Sequence, residues 1–306
     1  MNTQKNTGVF SPVDVKKKKI TIIGSGFVGK AAGKGFINIG HDVTFVDINT
    51  ILIESLSKEG LETCNINDFC SNNRDIYIIS VLTPTINDKL DFRFIDSAIA
   101  NLGRVLKDNS NWPLIVIRST VPPGTVQERF VPILEKYSEK KIEKDFGIAM
   151  NPEFLRETSA EEDFMHPWII IIGSNEPKVA QILEELYAPF KAPIVHMTIK
   201  EAEMTKYVHN IYNANKISFF NEMRLVAESI GVDADKVFNT VVESAEASWN
   251  KQYGIRNFGP FDGSCLPKDT MAFLSWSNEK VKKKMPILHA IIKVNERFKD
   301  KEYLEY

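Results

Sequence analysis

The chain has 306 residues, of which 43% are hydrophobic and 25% are charged, and its formal net charge is −2. This composition is that of a globular protein large enough for two domains. The nearly neutral charge argues against a nucleic-acid partner, and the longest apolar runs, such as residues 168–172, are too short to cross a bilayer. Three cysteines without a disulfide framework and a polar N-terminus without a signal peptide predict a cytoplasmic protein.

Apolar, β-rich runs alternate with helix-like stretches over the first two-thirds of the chain. Residues 19–24 predict a strand, and residues 26–39 predict the helix that follows it. Further strands are predicted at residues 42–46, 76–82, 114–118, 146–150, 168–172 and 193–196, with helices such as 94–106 and 178–187 between them. This alternation predicts an α/β fold with a Rossmann-like, doubly wound, mostly parallel sheet.

The pattern becomes helical after residue 198. Residues 199–230 contain no Pro or Gly and repeat apolar side chains at helical spacing, which predicts one long helix that links domains or forms a dimer interface. Helices are also predicted at residues 233–243, 270–277 and 286–299, with a functional loop at 250–267. We therefore predict a flexible tail at residues 1–18, a dinucleotide-binding domain at 19–198 and an all-helical domain at 199–306.

A glycine-rich turn lies between the first predicted strand and its helix. Gly24 permits the tight turn, Gly26 lets the backbone approach a pyrophosphate, and Gly29 allows close packing of helix on strand. Asp47 ends the second strand, where its carboxylate accepts from ribose hydroxyls and repels a 2′-phosphate, so NAD is favoured over NADP. The predicted cofactor site therefore contains Gly24, Gly26, Phe27, Val28, Gly29 and Asp47.

Two later loops follow strands at the edge where doubly wound sheets bind ligands. Thr83 and Pro84 end a strand, and the loop either turns over the cofactor or is a simple turn. Thr120 follows the strand at 114–118, and it either offers its hydroxyl to a water or substrate or belongs to a strand-end turn. The residues alone leave both choices open.

Two pairs of polar residues are spaced by one helical turn. Asn151 and Pro152 predict a helix start, which would place Glu153 and Glu157 on one face as a general base or as helix-dipole partners. Lys206 and Asn210 lie in the long predicted helix, where they either stabilise an oxyanion or form an exposed face.

Cys265 lies in the heptad Gly263-Ser264-Cys265-Leu266-Pro267-Lys268-Asp269, within a loop rich in Gly and Pro. Lys268 and Asp269 lie near the thiol in sequence, and a polar, electropositive setting favours a nucleophilic thiolate, whereas a buried cysteine is usually a small hydrophobic residue. A thiol beside a nicotinamide can hold an aldehyde while a second hydride leaves, which predicts oxidation of an alcohol to an acid. We expect no metal site.

These segments together resemble the UDP-glucose/GDP-mannose dehydrogenase family. The matching blocks are residues 24–29, 119–122, 151–157, the helix from 206–210 to 221–222, and 263–269. They occur in the family's order and cover nearly the whole chain from residue 19. The resemblance implies an NAD-dependent enzyme acting on CH–OH donors, which oxidises the C6 alcohol of a UDP- or GDP-sugar, expected to be UDP-glucose, through two hydride transfers.

The resemblance also implies a role for each matched residue. Cys265 forms a thiohemiacetal and then a thioester, while Lys206 and Asn210 stabilise the oxyanion. Thr120 and Glu157 hold a water and also contact the cofactor, as Thr83 and Pro84 do. The remaining roles fall to Glu153 in thioester hydrolysis, Asp269 in proton transfer or lysine orientation, and Phe154, Leu155, Lys206, Asn210 and Gly263 in substrate binding.

The family resemblance further implies a homodimer through the long helix and a place in surface polysaccharide synthesis. Two departures from the family pattern stand out. Asp262 adds a charge before the cysteine, and we expect the chain to lack the family's third, C-terminal nucleotide-binding domain. The alternatives are a β-hydroxyacid dehydrogenase of the 6-phosphogluconate type, which needs no thiol, and a catalytically impaired NAD-binding protein.

Overall fold

The computed structural model describes residues 16–66, 73–86, 89–245, 260–262, 266–267, 270–271, 274, 278–279 and 282–300. The chain divides into two compact units, the first ending at His209 and the second beginning at Asn210. Within the described ranges, no helix combines the length and apolar character needed to cross a membrane.

The first unit is built on one eight-stranded sheet. Its strands are β1 (Lys19–Ile23), β2 (Asp42–Asp47), β3 (Glu62–Asn65), β4 (Ile76–Ile79), β7 (Leu114–Ile117), β8 (Gly147–Met150), β9 (Ile170–Gly173) and β10 (Ile194–Met197). A separate hairpin pairs β5 (Thr85–Ile86) with β6 (Lys89–Leu90). The sheet order is β10-β9-β8-β7-β4-β1-β2-β3, and every pair is parallel except β8 with β9, which meet antiparallel at Met150 and Gly173. The predicted mostly parallel, doubly wound sheet is therefore confirmed.

Helices connect these strands and cover the sheet. They are α1 (Phe27–Asn38), α2 (Thr50–Lys58), α3 (Arg93–Lys107), α4 (Val131–Ser138), α5 (Ala160–Met165) and α6 (Pro177–Tyr187). A π-helical segment, Val126–Phe130, leads directly into α4. The sequence prediction placed α1, α3 and α6 to within about two residues but did not assign α2, β3 or α4.

The two faces of the sheet carry separate hydrophobic cores. In β4, Ile76 and Ile78 pack into one core, while Tyr77 and Ile79 pack into the other, and all four side chains are fully buried. Because successive strand residues point to opposite faces, a strand covered on both sides reads as a continuous apolar run. This burial explains why the central strands were the easiest elements to predict.

Three helices dominate the described part of the second unit. The long helix α7 (Ile199–Ser229) begins in the first unit and continues into the second, followed by α8 (Ala234–Ser244) and α9 (Pro286–Lys299). Asp233 caps α8, because its side chain accepts from the Lys236 amide. The Glu222 carboxylate of α7 accepts from the amides of Ile287 and Leu288 and so ties α9 to α7.

Candidate active site

The crevice of the sheet lies at the carboxyl ends of β1 and β4. The chain winds from β1 toward β2 and β3 on one side, and then returns to β4, β7 and β8 on the other. Ligands of doubly wound folds bind outside the strand ends at this point of reversal. The glycine-rich turn follows β1 here, and the loop with Thr83 and Pro84 follows β4.

Each of the three predicted glycines has a distinct steric role. Gly24 has a φ of +90°, and a Cβ there would lie 2.5 Å from the Ser80 carbonyl oxygen. A Cβ on Gly29 would lie 2.0 Å from the Gly24 carbonyl oxygen, so helix α1 packs directly on the turn. A Cβ on Gly26, by contrast, would meet no heavy atom of the described residues within 4 Å, apart from its chain neighbours and the backbone of its own helix. The turn is therefore closed behind Gly24 and Gly29 and open at Gly26, as a bound pyrophosphate requires.

Asp47 ends β2 and holds the glycine-rich turn. One carboxylate oxygen accepts from the Ser25 amide at 2.7 Å, and the other accepts from the Asn49 amide at 2.9 Å. The side chain is only half-buried and lines the cleft, so it retains lone pairs for further donors. This position suits a carboxylate that accepts from ribose hydroxyls.

The loops after β4 and β7 are joined side by side. Thr83 donates its hydroxyl to the Thr120 carbonyl oxygen at 2.9 Å, and Ser119 donates to the Val81 carbonyl oxygen at 2.7 Å. Thr120 is half-buried at the end of β7. The two threonines predicted from separate motifs thus lie in one wall of the same site.

A cleft of about 930 Å³ opens over this edge of the first unit. Its volume is within the range of pockets that enclose cofactor-sized ligands. Among the predicted site residues, those that line it are Gly24, Gly26, Phe27, Val28, Asp47, Thr83, Pro84, Thr120 and Glu153. Gly29 lies beneath the turn instead, and Glu157 lies exposed at the start of a single 3₁₀ turn, Glu157–Ser159.

The predicted helix from Pro152, with two glutamates on one face, is wrong. Residues 151–156 are irregular, and the α-helix starts only at Ala160. Asn151 cannot cap a helix because its side chain is committed to a buried network, accepting from Arg118 and from the Tyr187 hydroxyl and donating to the Ile171 carbonyl. The two carboxylates are therefore not neighbours on a helix.

Glu153 instead forms a buried ion pair with Lys206 of α7. The ammonium donates to the Glu153 carboxylate at 2.9 Å and to its backbone carbonyl at 2.5 Å, and the two side chains are 7% and 12% exposed. The second carboxylate oxygen accepts from the Leu155 amide at 2.6 Å. Glu153 lines the cleft, and a paired, hydrogen-bonded cation directly beside that carboxylate is suited to stabilising an oxyanion.

Phe154 packs between the cation and an aromatic neighbour. Its ring centroid lies 5.5 Å from the Lys206 ammonium and 4.5 Å from the ring centroid of His209. Burial lowers the pKa of His209, the Lys206 charge lowers it further, and Glu153 opposes both effects. His209 was not singled out from the sequence, and Asn210, the next residue of α7, is exposed.

Arg118 is a second cation that sequence reasoning did not single out. Its side chain is 95% buried at the end of β7, where it lines the cleft and donates to Asn151 and, at 3.0 Å, to the Tyr187 hydroxyl. Burial raises the pKa of Tyr187, while the Arg118 charge opposes that shift. The signal in the sequence was one arginine directly after four apolar strand residues.

Cys265, Gly263, Lys268 and Asp269 lie outside the described residues, as does most of the predicted loop at 250–267. Its residues 260–262 are described, and Asn295 of α9 holds them. The Asn295 amide accepts from the Phe261 N–H at 2.7 Å and donates to the Phe261 carbonyl at 3.0 Å. Asp262 is exposed. The chain leading to the cysteine is thus fixed to α9.

Asp163 of α5 anchors the far end of the segment that carries Glu153 and Phe154. Its carboxylate accepts from the Arg156 guanidinium and backbone amide and from the Ser159 hydroxyl. The hydrogen bonds from Arg156 outweigh desolvation and lower the pKa of Asp163 to about 2.

We predict that Asp163→Asn lowers stability only above acidic pH. A carboxylate whose folded-state pKa is depressed from 3.8 to about 2 stabilises the fold above pH 4 and loses this contribution as the pH falls toward 2. The difference in free energy of unfolding between wild type and variant should therefore shrink from pH 7 to pH 3, measured by urea denaturation. A difference independent of pH would contradict this account.

Comparison with known proteins covers both units. Residues 18–67 and 61–191 match the model of the UDP-glucose/GDP-mannose dehydrogenase family, NAD binding domain, and residues 200–297 match the central domain of the same family. The chain belongs to this family. It is thus an NAD-dependent nucleotide-sugar dehydrogenase, which confirms the enzyme class and the cofactor expected from the sequence.

Individual relatives agree with the family match. A GDP-mannose 6-dehydrogenase of Pseudomonas savastanoi pv. phaseolicola is 36% identical over 298 residues, covering 90% of this chain and 68% of the relative. A UDP-glucose 6-dehydrogenase of Bacillus subtilis is 35% identical, and the match covers 92% of this chain and 63% of the relative. The crystal structure of a ternary complex of GDP-mannose dehydrogenase from Pseudomonas aeruginosa has a TM-score of 0.83 at 31% identity, covering 91% and 68%.

The turn fits NAD, and two glycine variants test the fit. We expect Gly29→Ala to lose about 3 kcal/mol of stability, because its Cβ overlaps the Gly24 carbonyl. Gly26→Ala has open space, so its stability stays within about 0.5 kcal/mol of wild type. Its NAD affinity should fall by about tenfold, ~1.4 kcal/mol, because the methyl group keeps the pyrophosphate from the backbone. Unfolding curves and NAD titrations check both, and equal stability losses would refute the assignment.

Proposed function

We propose that this dehydrogenase oxidises the C6 alcohol of a nucleotide sugar to a carboxylate. One sugar, two NAD⁺ and one water give one carboxylate, two NADH and three protons. NAD⁺, when bound at the glycine-rich turn, accepts each hydride. The observation that carries this proposal is the buried Lys206–Glu153 pair at the wall of a cleft that also holds the glycine-rich turn and Thr120.

In this proposal Cys265 carries the carbon between the two oxidations. The aldehyde carbon left by the first hydride loss bonds to the thiolate sulfur and gives a thiohemiacetal. Loss of the second hydride yields a thioester, and water attack on its carbonyl releases the acid and the thiolate. Asp269, close by in sequence, assists the proton transfer or orients the lysine.

The remaining residues stabilise charge and hold water. Lys206 donates to the oxyanion that forms when thiolate or water adds to the carbonyl, with Asn210 as a second donor. Thr120 holds the attacking water, and Glu153 takes part in thioester hydrolysis. Glu157, which is exposed and does not line the cleft, is left without the water-holding role that the resemblance implied. The backbone of Phe154 and Leu155, with Gly263, contacts the substrate.

The sugar itself is expected to be GDP-mannose or UDP-glucose. The sequence resemblance favoured UDP-glucose, and a UDP-glucose enzyme of Bacillus subtilis is 35% identical. GDP-mannose enzymes reach 36% identity, and the ternary complex of one has a TM-score of 0.83. These values favour GDP-mannose slightly, and we propose it as the first substrate to test.

A stoichiometric assay distinguishes the candidates. The protein is incubated with excess NAD⁺ and limiting GDP-mannose, UDP-glucose or 6-phosphogluconate, and NADH and the oxidised product are counted. Two NADH per sugar support the proposal. One NADH, or turnover only of 6-phosphogluconate, supports the β-hydroxyacid alternative, and NAD binding without turnover of any sugar supports a catalytically impaired protein.

We also propose that two chains associate through α7, as the family resemblance implied. This helix bears exposed apolar side chains on successive turns at Met204, Val208, Ile211 and Tyr212, and again near its end at Leu225. Such side chains on one element favour burial against a partner. Light scattering of the full chain tests the dimer, and a monomeric mass at micromolar concentration would refute it.

A further inference from the structure

Glu203 is a fully buried acid that the proposed chemistry does not use. It lies on the first turns of α7, with 0% of its surface exposed. Burial raises the pKa of Glu203, and nearby Glu128 adds to this effect, whereas two backbone amides and Lys200 lower it. Within the described residues it has no cation within 4.0 Å. A buried carboxylate held only by amides is costly, so its location calls for an explanation.

The two amides belong to the loop that follows Thr120. One Glu203 oxygen accepts from the Val126 amide at 2.8 Å, and the other accepts from the Gly124 amide at 2.5 Å. These are the first donors of the helical segment that continues into α4, so Glu203 caps it from another element. Gly124 has a φ of +94°, which turns the chain toward the carboxylate.

Glu203 thereby fixes the C-terminal end of the Thr120 loop. The other end is already fastened, because Thr83 donates to the Thr120 carbonyl and Ser119 donates to the Val81 carbonyl. Val121, between these attachments, is fully buried. The hydroxyl of Thr120 therefore lies in a loop held at β4 on one side and at α7 on the other.

Lys206 lies three residues after Glu203 on the same helix, and residues three apart share a helix face. Its ammonium holds the second loop of the site through Glu153. The first turns of α7 thus attach to both loops. The Glu203 carboxylate holds the Thr120 loop, and the Lys206 ammonium holds the Glu153 loop.

From this geometry we propose that Glu203 is a positioning residue that sets the distance between Thr120 and Lys206. The inference rests on the proposed function, in which Thr120 holds the attacking water and Lys206 stabilises the oxyanion. Water attack on the thioester needs both groups aligned, whereas hydride transfer depends mainly on the placement of sugar and cofactor. Loss of Glu203 should therefore slow the hydrolysis step selectively.

The test is pre-steady-state NADH formation by Glu203→Gln, with Glu203→Asp and Glu135→Gln alongside. Gln places an NH₂ group against an amide N–H and so separates the loop from α7. Asp keeps both carboxylate oxygens as acceptors on a side chain that is one methylene shorter. Glu135 of α4 is the matched control, because it likewise accepts from a backbone amide, that of Ile142, and it pairs with Lys141 away from the Thr120 loop. Its substitution should leave both phases at wild-type rates.

We expect Glu203→Gln to release up to two NADH per site rapidly and then to turn over ~10- to 100-fold more slowly than wild type. The KM for NAD⁺ should stay within about twofold of wild type, which corresponds to ~0.4 kcal/mol. Glu203→Asp should show the same burst with a smaller loss, and it decides the question if the Gln variant does not fold.

Four outcomes count against the proposal. If both Glu203 variants slow the NADH burst and the steady-state rate equally, Glu203 only stabilises the fold. If steady-state turnover is unchanged, Glu203 has no role in the mechanism. Wild type that makes no NADH from either sugar overturns the proposed function and this inference together. Wild type that turns over, beside a variant with no burst, overturns only the inference.

Discussion

Cys265→Ser should abolish acid formation while leaving NAD affinity unchanged. The thiolate is the nucleophile that holds the aldehyde carbon, and a serine hydroxyl is almost fully protonated at neutral pH. Without a thioester the second oxidation has no covalent intermediate. We expect turnover to the acid to fall on the order of 10⁴-fold or more, as it does when a nucleophile is removed, and NADH to stay at or below one per sugar.

The matched control is Cys64→Ser. Cys64 lies in β3, half-buried, and its thiol donates to the Asn65 carbonyl at 3.3 Å. A serine hydroxyl can make the same hydrogen bond, so this variant should keep two NADH per sugar. Comparing Cys265→Ser with Cys64→Ser separates the chemistry of the Cys265 thiol from a general effect of replacing sulfur by oxygen.

The measurements are NADH and uronic acid counted over time, together with NAD titration of each variant. Full turnover to the acid by Cys265→Ser would exclude the thioester route and favour a direct, thiol-independent dehydrogenase. Loss of NAD binding in the variant would instead mean that the substitution disturbs the fold. Only retained binding with lost acid formation supports the nucleophile.

The cofactor half of the site was predictable because steric limits on the backbone require glycine at fixed positions of the turn. Gly24 needs a positive φ, and Gly29 admits no Cβ beside the Gly24 carbonyl. Strand, turn and helix are contiguous in the chain, so local residues suffice to identify them. Asp47 follows by the fixed spacing of the next strand, and the structure joins it to Ser25 of the turn.

The chemical half depends on contacts between distant segments. Asn151 and Pro152 carry a helix-start signal, yet Arg118 and Tyr187 engage the Asn151 side chain and leave the following residues irregular. Tertiary hydrogen bonds overrode a local preference. No spacing rule could reveal that these three residues, from three parts of the chain, would meet.

Buried acids and bases on α7 were equally hidden. Lys206 was singled out by its spacing to Asn210, but its partner Glu153 lies 53 residues earlier in the chain. Glu203 gave no signal, because a glutamate in a helix pattern normally faces solvent. The sequence predicted which elements form, and the structure adds which polar groups they bury together.

Lys206→Met should reduce turnover by ~10²- to 10³-fold, the loss typical of removing one oxyanion donor. Methionine keeps the unbranched shape of the side chain but removes the charge and its hydrogen bonds to Glu153. It also leaves a buried carboxylate without its cation, which should cost about 3 kcal/mol of stability. One substitution therefore confounds a catalytic loss with a structural one.

A double variant separates the two effects. In Lys206→Met with Glu153→Gln, the uncompensated charge is gone, so the free energy of unfolding should return toward wild type. Turnover should stay low, because nothing replaces the cation that faces the oxyanion. Lys200→Met, at an exposed lysine of the same helix whose only salt bridge in the described chain is with Glu128, at 3.7 Å, should match wild type in both measurements. Recovery of activity together with stability would mean that Lys206 only holds the Glu153 loop, whereas recovered stability with turnover well below that of Glu153→Gln alone places the Lys206 charge in the chemistry.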